Sequence, residues 1–73
     1  MSESEANTNN YTLLTEAQKN QTWVRVLAHG RSEDCQVTKI TWDDMEDRVH
    51  FTTKSGDKYW HVGLPAITKL QTL

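Results

Sequence analysis

The chain has 73 residues, of which 36% are hydrophobic and 25% charged, and its formal net charge is −2. This length allows one domain, with a core near the size at which a single core is only marginally stable. Two of the ten acidic residues, Glu3 and Glu5, lie near the N-terminus, so the remainder is neutral. A neutral domain argues against nonspecific nucleic-acid binding, which normally needs a basic surplus.

Cysteine content and hydropathy predict a cytoplasmic protein. The single cysteine, Cys35, cannot form an internal disulfide and fits a reducing compartment. The sequence shows neither the basic start and apolar run of a signal peptide nor a stretch long enough to span a membrane. We therefore expect no membrane association.

The N-terminal part of the chain divides into a polar segment and a short helix. Residues 1–10, MSESEANTNN, cannot bury enough surface to offset their ordering entropy, so they predict a disordered tail. Residues 11–21 predict a helix capped by Thr12 or Thr15, with capping-box spacing between Thr15 and Gln18. A helix this short needs a surface to lie on. Its apolar side consists of Leu13, Leu14 and Ala17.

Four segments alternate apolar and polar residues and are rich in β-branched and aromatic side chains, which is the pattern of half-buried strands. They are residues 22–29, 35–42, 48–54 and 58–64, joined by polar connections at 30–34, 43–47 and 55–57. This order predicts an antiparallel meander. Gly56 and Asp57 suit a two-residue turn, because glycine supplies the positive φ that such turns need.

The apolar faces of neighbouring strands define a predicted register. The predicted apolar pairs are Val26 with Val37, Ile40 with Phe51, Trp42 with Val49, and Phe51 with Val62. Val37 and Ile40 would lie on opposite faces of a regular strand. We therefore predict a β-bulge near Thr38 and Lys39, which restores the alternation and bends the strand.

The C-terminal residues complete the predicted fold. Pro65 interrupts the last long strand, and Ile67, Leu70 and Leu73 can follow as a short fifth strand or one helical turn. We predict a mainly β domain over residues 11–73, with a short N-terminal helix on a small, strongly bent antiparallel sheet or barrel of four to five strands, similar to Sm-like barrels. The predicted core is Leu13, Leu14, Val24, Val26, Val37, Ile40, Trp42, Val49, Phe51, Trp60, Val62, Leu64, Ile67 and Leu70.

The order of a helix, four meandering strands and a short closing strand is that of a small Sm-like barrel. At that level, and in the run LPAITKL at residues 64–70, the chain resembles the Rho-binding antiterminator family of small bacterial proteins. The resemblance covers residues 11–73 in topology and carries over no functional residues. It implies binding to a partner protein or a nucleic acid rather than catalysis.

Cys35, His29, His50 and His61 form the one set that resembles metal ligands. Zinc sites usually contain ligands in short-spaced pairs, and this set contains no such pair. The predicted register also places Cys35 on the core side and His50 and His61 on the other, so Cys35 is expected to be a small buried residue. We expect no catalytic residues, no metal, no cofactor and no enzymatic activity, because so small a core leaves no room for a pocket.

The connection after the second strand carries four carboxylates and a methionine in five positions. Such a tip could imitate a run of phosphates and occupy the basic nucleic-acid groove of another protein. The alternative is a loop tip that is simply solvated, while calcium binding requires a different ligand arrangement. The predicted partner-binding residues are Asp43, Asp44, Met45, Glu46 and Asp47.

A second candidate surface is the outward face of the last two long strands. It could hold phosphates while a base stacks on Tyr59, or it is an ordinary solvated sheet face. Its residues are Arg48, His50, Thr52, Lys54, Tyr59 and His61. On the same face of the first strand, we expect the helix to cover Trp23 and Leu27 through Leu13 and Leu14; the alternative is an exposed apolar patch.

These observations favour a small non-enzymatic binding protein, encoded by a bacterium or a phage. It would attach to a larger, nucleic-acid-handling bacterial protein and modulate or inhibit it. The alternative is a small barrel that binds RNA or single-stranded DNA directly through the aromatic and basic sheet face. A third possibility is a structural dimer paired through an edge strand, so we expect a monomer or a weak homodimer.

Overall fold

The computed structural model describes residues 3–73, with side chains from residue 9 onward. One helix precedes five antiparallel strands in a single sheet. The elements are α1 (Glu3–Asn20), β1 (Val24–Ala28), β2 (Arg31–Asp43), β3 (Glu46–Thr53), β4 (Trp60–Gly63), a 3-10 turn (Leu64–Ala66) and β5 (Ile67–Thr72). The prediction of a mainly β fold with an N-terminal helix is confirmed. The described residues include no helix that is long and apolar enough to cross a membrane.

The sheet is open rather than closed into a barrel. Its strand order is β4-β3-β2-β1-β5, so β4 and β5 form the two edges. Of the two predicted forms of the sheet, the barrel over residues 11–73 is therefore wrong, because β5 pairs with β1 and does not meet β4. Pro65 ends the meander as predicted, since the 3-10 turn separates β4 from the fifth strand.

Helix α1 is longer than the sequence predicts. It begins at Glu3, so the predicted disordered tail is wrong for residues 3–10, and residues 1–2 lie outside the described residues. The predicted cap is also wrong, because Thr15 lies inside the helix. Its hydroxyl donates to the carbonyl of Tyr11 at 2.8 Å, as hydroxyl groups in helix interiors often do.

The C-terminal end of α1 is closed by its own backbone. Gln21 has a positive φ of 55°, and the N–H of Thr22 donates to the carbonyl of Ala17 at 3.1 Å. This arrangement is a Schellman cap, which satisfies carbonyls that the end of a helix leaves unpaired. It turns the chain into β1 and keeps Leu14 and Ala17 buried against the sheet.

The core lies between α1, the 3-10 turn and one face of the sheet, here called the core face. Its buried residues are Leu14, Ala17, Val24, Val26, Ala28, Cys35, Val37, Val49, Phe51, Val62, Leu64 and Ile67, with Leu13, Ile40, Trp60, Ala66 and Leu70 packed against them. Every predicted core residue belongs to one of these two groups except Trp42, which is 71% exposed.

The observed strand registers differ from the predicted ones by two or four residues. Val26 lies opposite Glu33 instead of Val37, and Ile40 lies opposite Val49 instead of Phe51. In the last pair of strands, Phe51 lies opposite Trp60. Because side chains alternate with a period of two, an even shift keeps each side chain on its predicted face.

Two tight turns account for the shifts in the first two hairpins. His29 and Gly30 join β1 to β2, and Asp44 and Met45 join β2 to β3. All four residues have positive φ, between 50° and 72°, which is the geometry of type I′ hairpin turns. Most of the predicted loops at residues 30–34 and 43–47 therefore belongs to strands.

The connection between β3 and β4 is longer than the predicted two-residue turn. It spans residues 54–59 and is closed by Thr53 and Asp57. The N–H of Thr53 donates to the carbonyl of Asp57 at 2.7 Å, and the N–H of Asp57 donates to the Thr53 hydroxyl at 2.9 Å. These bonds fix the conformation of the connection. A two-residue turn would instead have continued the strand pairing through these residues.

The predicted β-bulge is confirmed between Val37 and Lys39. Val37 points into the core, while Lys39 is exposed and pairs with His50 on the other face of the sheet, here called the outer face. In a regular strand, Val37 and Lys39 would share a face. The bulged residue, Thr38, donates its hydroxyl to the carbonyl of His50 at 3.0 Å.

Candidate functional site

The acidic residues of the β2–β3 turn are divided between the two faces of the hairpin. Asp43 pairs with Glu46 across the strands, and Trp42 pairs with Asp47. Because side chains alternate along a strand, Asp43 and Glu46 belong to the outer face, whereas Asp47 shares the core face with Trp42. Asp44 lies in the turn itself. The five predicted residues therefore do not form one continuous acidic surface.

Arg48 neutralises the outer-face carboxylates. Its guanidinium lies 3.3 Å from Glu46 Oε1 and 3.6 Å from Asp43 Oδ2, and its side chain is only 23% exposed. The Glu46 carboxylate also covers Gly63 on β4, where a β-carbon would lie 2.5 Å from Oε1. Asp43 and Glu46 are therefore engaged within the chain, and so is Arg48, which the sequence assigns to the nucleic-acid face.

The end of the β2–β3 hairpin exposes two large apolar side chains, Trp42 at 71% and Met45 at 88%. Asp44 and Asp47 flank them, and neither carboxylate takes part in an ion pair within residues 9–73. We call these four residues the tip surface. Tryptophan and methionine are enriched at protein interfaces, and tryptophan is frequent among the residues that contribute most to binding.

The outer face of the sheet carries a groove of about 460 Å³ at the β-bulge. His50 and His61 are cross-strand neighbours in it, with ring centroids 5.6 Å apart, and Tyr59 is 88% exposed. Nη1 of Arg48 lies 3.3 Å from Nδ1 of His61 at its border. The groove is lined by Thr38, Lys39, His50, Lys58, Tyr59 and His61, and we call it the basic groove.

The pKa of His50 is affected by the charged side chains around the basic groove. Partial burial lowers the pKa of His50, and the neighbouring Lys39, His61 and Arg48 lower this pKa further, while Asp43 opposes them. Its Nε2 lies 3.0 Å from the Thr41 hydroxyl. The ammonium of Lys39 and the guanidinium of Arg48 therefore place positive charge near the His50 ring.

Lys54 does not join the other residues of the predicted nucleic-acid face. Its ammonium lies 6.0 Å from the centroid of the Trp23 ring. It also lines a separate groove beside the ion pair of Arg25 and Asp34, whose closest atoms are 2.8 Å apart. β4 pairs with β3 only as far as Phe51, so Lys54, which lies beyond that end, does not line the basic groove.

Trp23 is not covered by the helix, so the predicted contact with Leu13 and Leu14 is wrong. Leu14 is buried in the core and Leu13 packs against it. Trp23 is 37% exposed beside Lys54 instead, and Leu27 is half-buried. The same α1 side chains cannot cover both faces of the sheet.

Cys35 lies apart from the histidines that accompanied it in the sequence. It is fully buried in the core, and burial, with smaller contributions from Glu33 and Asp34, raises the pKa of its thiol to about 12. His50 and His61 are on the outer face. In the described part of the chain, no three His, Cys, Asp or Glu side chains are grouped as metal ligands.

The sequence interpretation missed three exposed residues that the structure places at these surfaces, namely Lys39, Lys58 and Trp42. The predicted bulge could have identified Lys39, because a bulge after Val37 turns Lys39 outward. Lys58 could have been inferred from its position beside Tyr59. No local signal separates Trp42 from a core residue, since its phase is that of the core.

No known family model matches the chain, and comparison with curated proteins and with solved structures gave no match. The resemblance to the Rho-binding antiterminator family therefore stays a prediction, and the function must be inferred from the tip surface and the basic groove.

Proposed function

We propose that this chain is a non-enzymatic binding protein that attaches through its tip surface to a larger, nucleic-acid-handling protein and modulates or inhibits it. The observation that supports this most directly is the exposure of Trp42 beside Asp44 and Asp47. A tryptophan that is 71% exposed leaves a large apolar area in water, and burying it against a partner is favourable.

The carboxylates define the chemistry of the partner. Asp44 and Asp47 carry negative charge beside Trp42, whereas Arg48 holds the outer-face carboxylates. A basic surface, such as one that normally binds phosphates, complements this charge and accelerates encounter. The strand pairing of Trp42 with Asp47 also holds the backbone in place before binding, which reduces the entropy lost on association.

Affinity capture from a nuclease-treated bacterial lysate tests this proposal. The wild-type chain should retain a protein that added heparin releases, because heparin competes as a polyanion for a basic surface. A variant with Asp44→Asn and Asp47→Asn should retain less of the same protein. Its association should be slower and less sensitive to salt.

A Tyr59→Ala variant provides the matched control, because Tyr59 is as exposed as Met45 but lies in the basic groove. It should capture the same protein in the same amount as wild type. The proposal is contradicted if capture requires Tyr59 and not the two aspartates. It is also contradicted if the protein is captured from an untreated lysate but not from the nuclease-treated one.

A further inference from the structure

The basic groove differs in charge from the rest of the chain. The protein has ten acidic and eight basic residues, yet the described residues that line this groove include two lysines, two histidines and no carboxylate. Three carboxylates outside its lining are already paired with arginines: Asp43 and Glu46 with Arg48, and Asp57, which precedes Lys58, with Arg31. Phosphate groups are the natural complement of such a surface.

The β-bulge constructs this surface. It allows Val37 to fill the core while Lys39 turns outward opposite His50. The ordered connection over residues 54–59 then brings Lys58 and Tyr59 to the same groove. Bulges are frequent at functional sites because they redirect side chains.

A second groove continues from the first. It has a volume of about 510 Å³ and shares Thr38 with the basic groove. Its remaining lining residues are Gln18, Gln21, Gln36, Val37 and Thr52. The amides of Gln18 and Gln36 donate to the carbonyls of Thr38 and Gln21 at 3.2 and 2.8 Å, which leaves their amide oxygens able to accept hydrogen bonds from base edges. None of the described lining residues in this groove is acidic either.

We propose that the two grooves form a binding site for a short single-stranded nucleic acid, with one base stacked on Tyr59 and phosphates held by Lys39 and Lys58. A ring exposed to 88% presents its face to solvent, and stacking on an aromatic side chain tolerates any base. Each groove falls within the roughly 300–1,000 Å³ of ordinary ligand sites, so together they suit a chain of several nucleotides better than one free nucleotide.

Fluorescence anisotropy with fluorescein-labelled six-nucleotide oligo(U) and oligo(dT) tests this site at 50 mM salt and above. Both strands should bind, and unlabelled UMP should displace them only at much higher concentration. Tyr59→Ala should weaken binding roughly 5- to 150-fold, which corresponds to the loss of one stacked base. A difference between the two strands would report contacts to the 2′-hydroxyl.

The lysines are tested through the salt dependence of binding. A variant with Lys39→Gln and Lys58→Gln should lower the slope of log K against log salt by about 1.4, since each lost phosphate contact to a single strand removes about 0.7. The matched control carries Lys54→Gln and Lys69→Gln, which remove the same charge outside the two grooves. The control should keep nearly the wild-type slope.

Three results would overturn the site: no binding of either strand by wild type, equal loss in the two lysine variants, or displacement by UMP as effective as by the unlabelled hexamer. Trp42→Ala should bind both strands as wild type does. The nucleic-acid site and the proposed protein contact can therefore fail independently.

Discussion

The β2–β3 hairpin carries two aromatic residues on the same face of the sheet, and their environments are opposite. Phe51 is fully buried, whereas Trp42, on the same face of the sheet, is 71% exposed. Phe51 packs in the core cluster with Leu14 of α1 and Leu64 of the 3-10 turn, whereas Trp42 lies outside this cluster. Alternation decides which face a side chain occupies, but the element packed on that face decides whether it is buried.

The largest effect is expected at the buried aromatic residue. Phe51→Ala should lower the free energy of unfolding by about 3–5 kcal/mol, the usual range for emptying a core aromatic site. Thr52→Ala, on the opposite face, should cost less than about 1 kcal/mol. Equal losses in urea or thermal melts would show that the strand phase is wrong.

Thiol reactivity compares the same two environments chemically. Cys35 should react with a thiol reagent at pH 8 only when the domain opens, because its raised pKa of about 12 leaves little thiolate. A Met45→Cys variant should add one thiol that reacts at least about a hundredfold faster, since position 45 is exposed. Rapid modification of Cys35 in the wild-type protein would contradict its placement in the core.

A smaller effect is expected from the backbone of the hairpin turn. Met45 has a φ of 65°, a conformation that costs a side chain with a β-carbon about 1 kcal/mol or more. Met45→Gly should therefore raise the free energy of unfolding by about 0.5–1 kcal/mol. Met45→Ala keeps the strain and should not. A loss of stability in the glycine variant, measured by urea melts, would argue against this turn.

The smallest effect on stability is expected from Trp42→Ala. A buried tryptophan costs about 3–5 kcal/mol when truncated, whereas an exposed one should cost less than about 1 kcal/mol. The melting temperature should therefore stay close to wild type. A loss similar to that of Phe51→Ala would mean that Trp42 packs into the core after all.

The face of each strand residue could be predicted from the sequence, but the register could not. Alternation in β2 identified Val37 and Ile40 as core residues and required a bulge, which the structure contains. The same alternation is satisfied by any even shift, and the type I′ turns at His29 and Asp44 are not the Asn-Gly or Asp-Gly sequences that usually mark such turns.

The start of α1 and the two binding surfaces were harder to predict from the sequence for another reason. The Ser, Asn and Thr residues before Tyr11 have weak helix propensity, yet extending a helix that is already docked costs less than nucleating one. The exposure of Trp42 depends on which part of the core face is packed in the folded domain, and the basic groove depends on strands that meet only in the folded sheet. Neither property is local in sequence.

Binding of a partner by the tip surface is measured by the dissociation constant for the protein that wild type captures. Trp42→Ala should raise this constant at least about 30-fold, which corresponds to the 2 kcal/mol of a residue that dominates an interface, while its melting temperature is retained. Tyr59→Ala should change it less than about twofold. An unchanged dissociation constant in the Trp42 variant would show that the tip surface does not bind this protein.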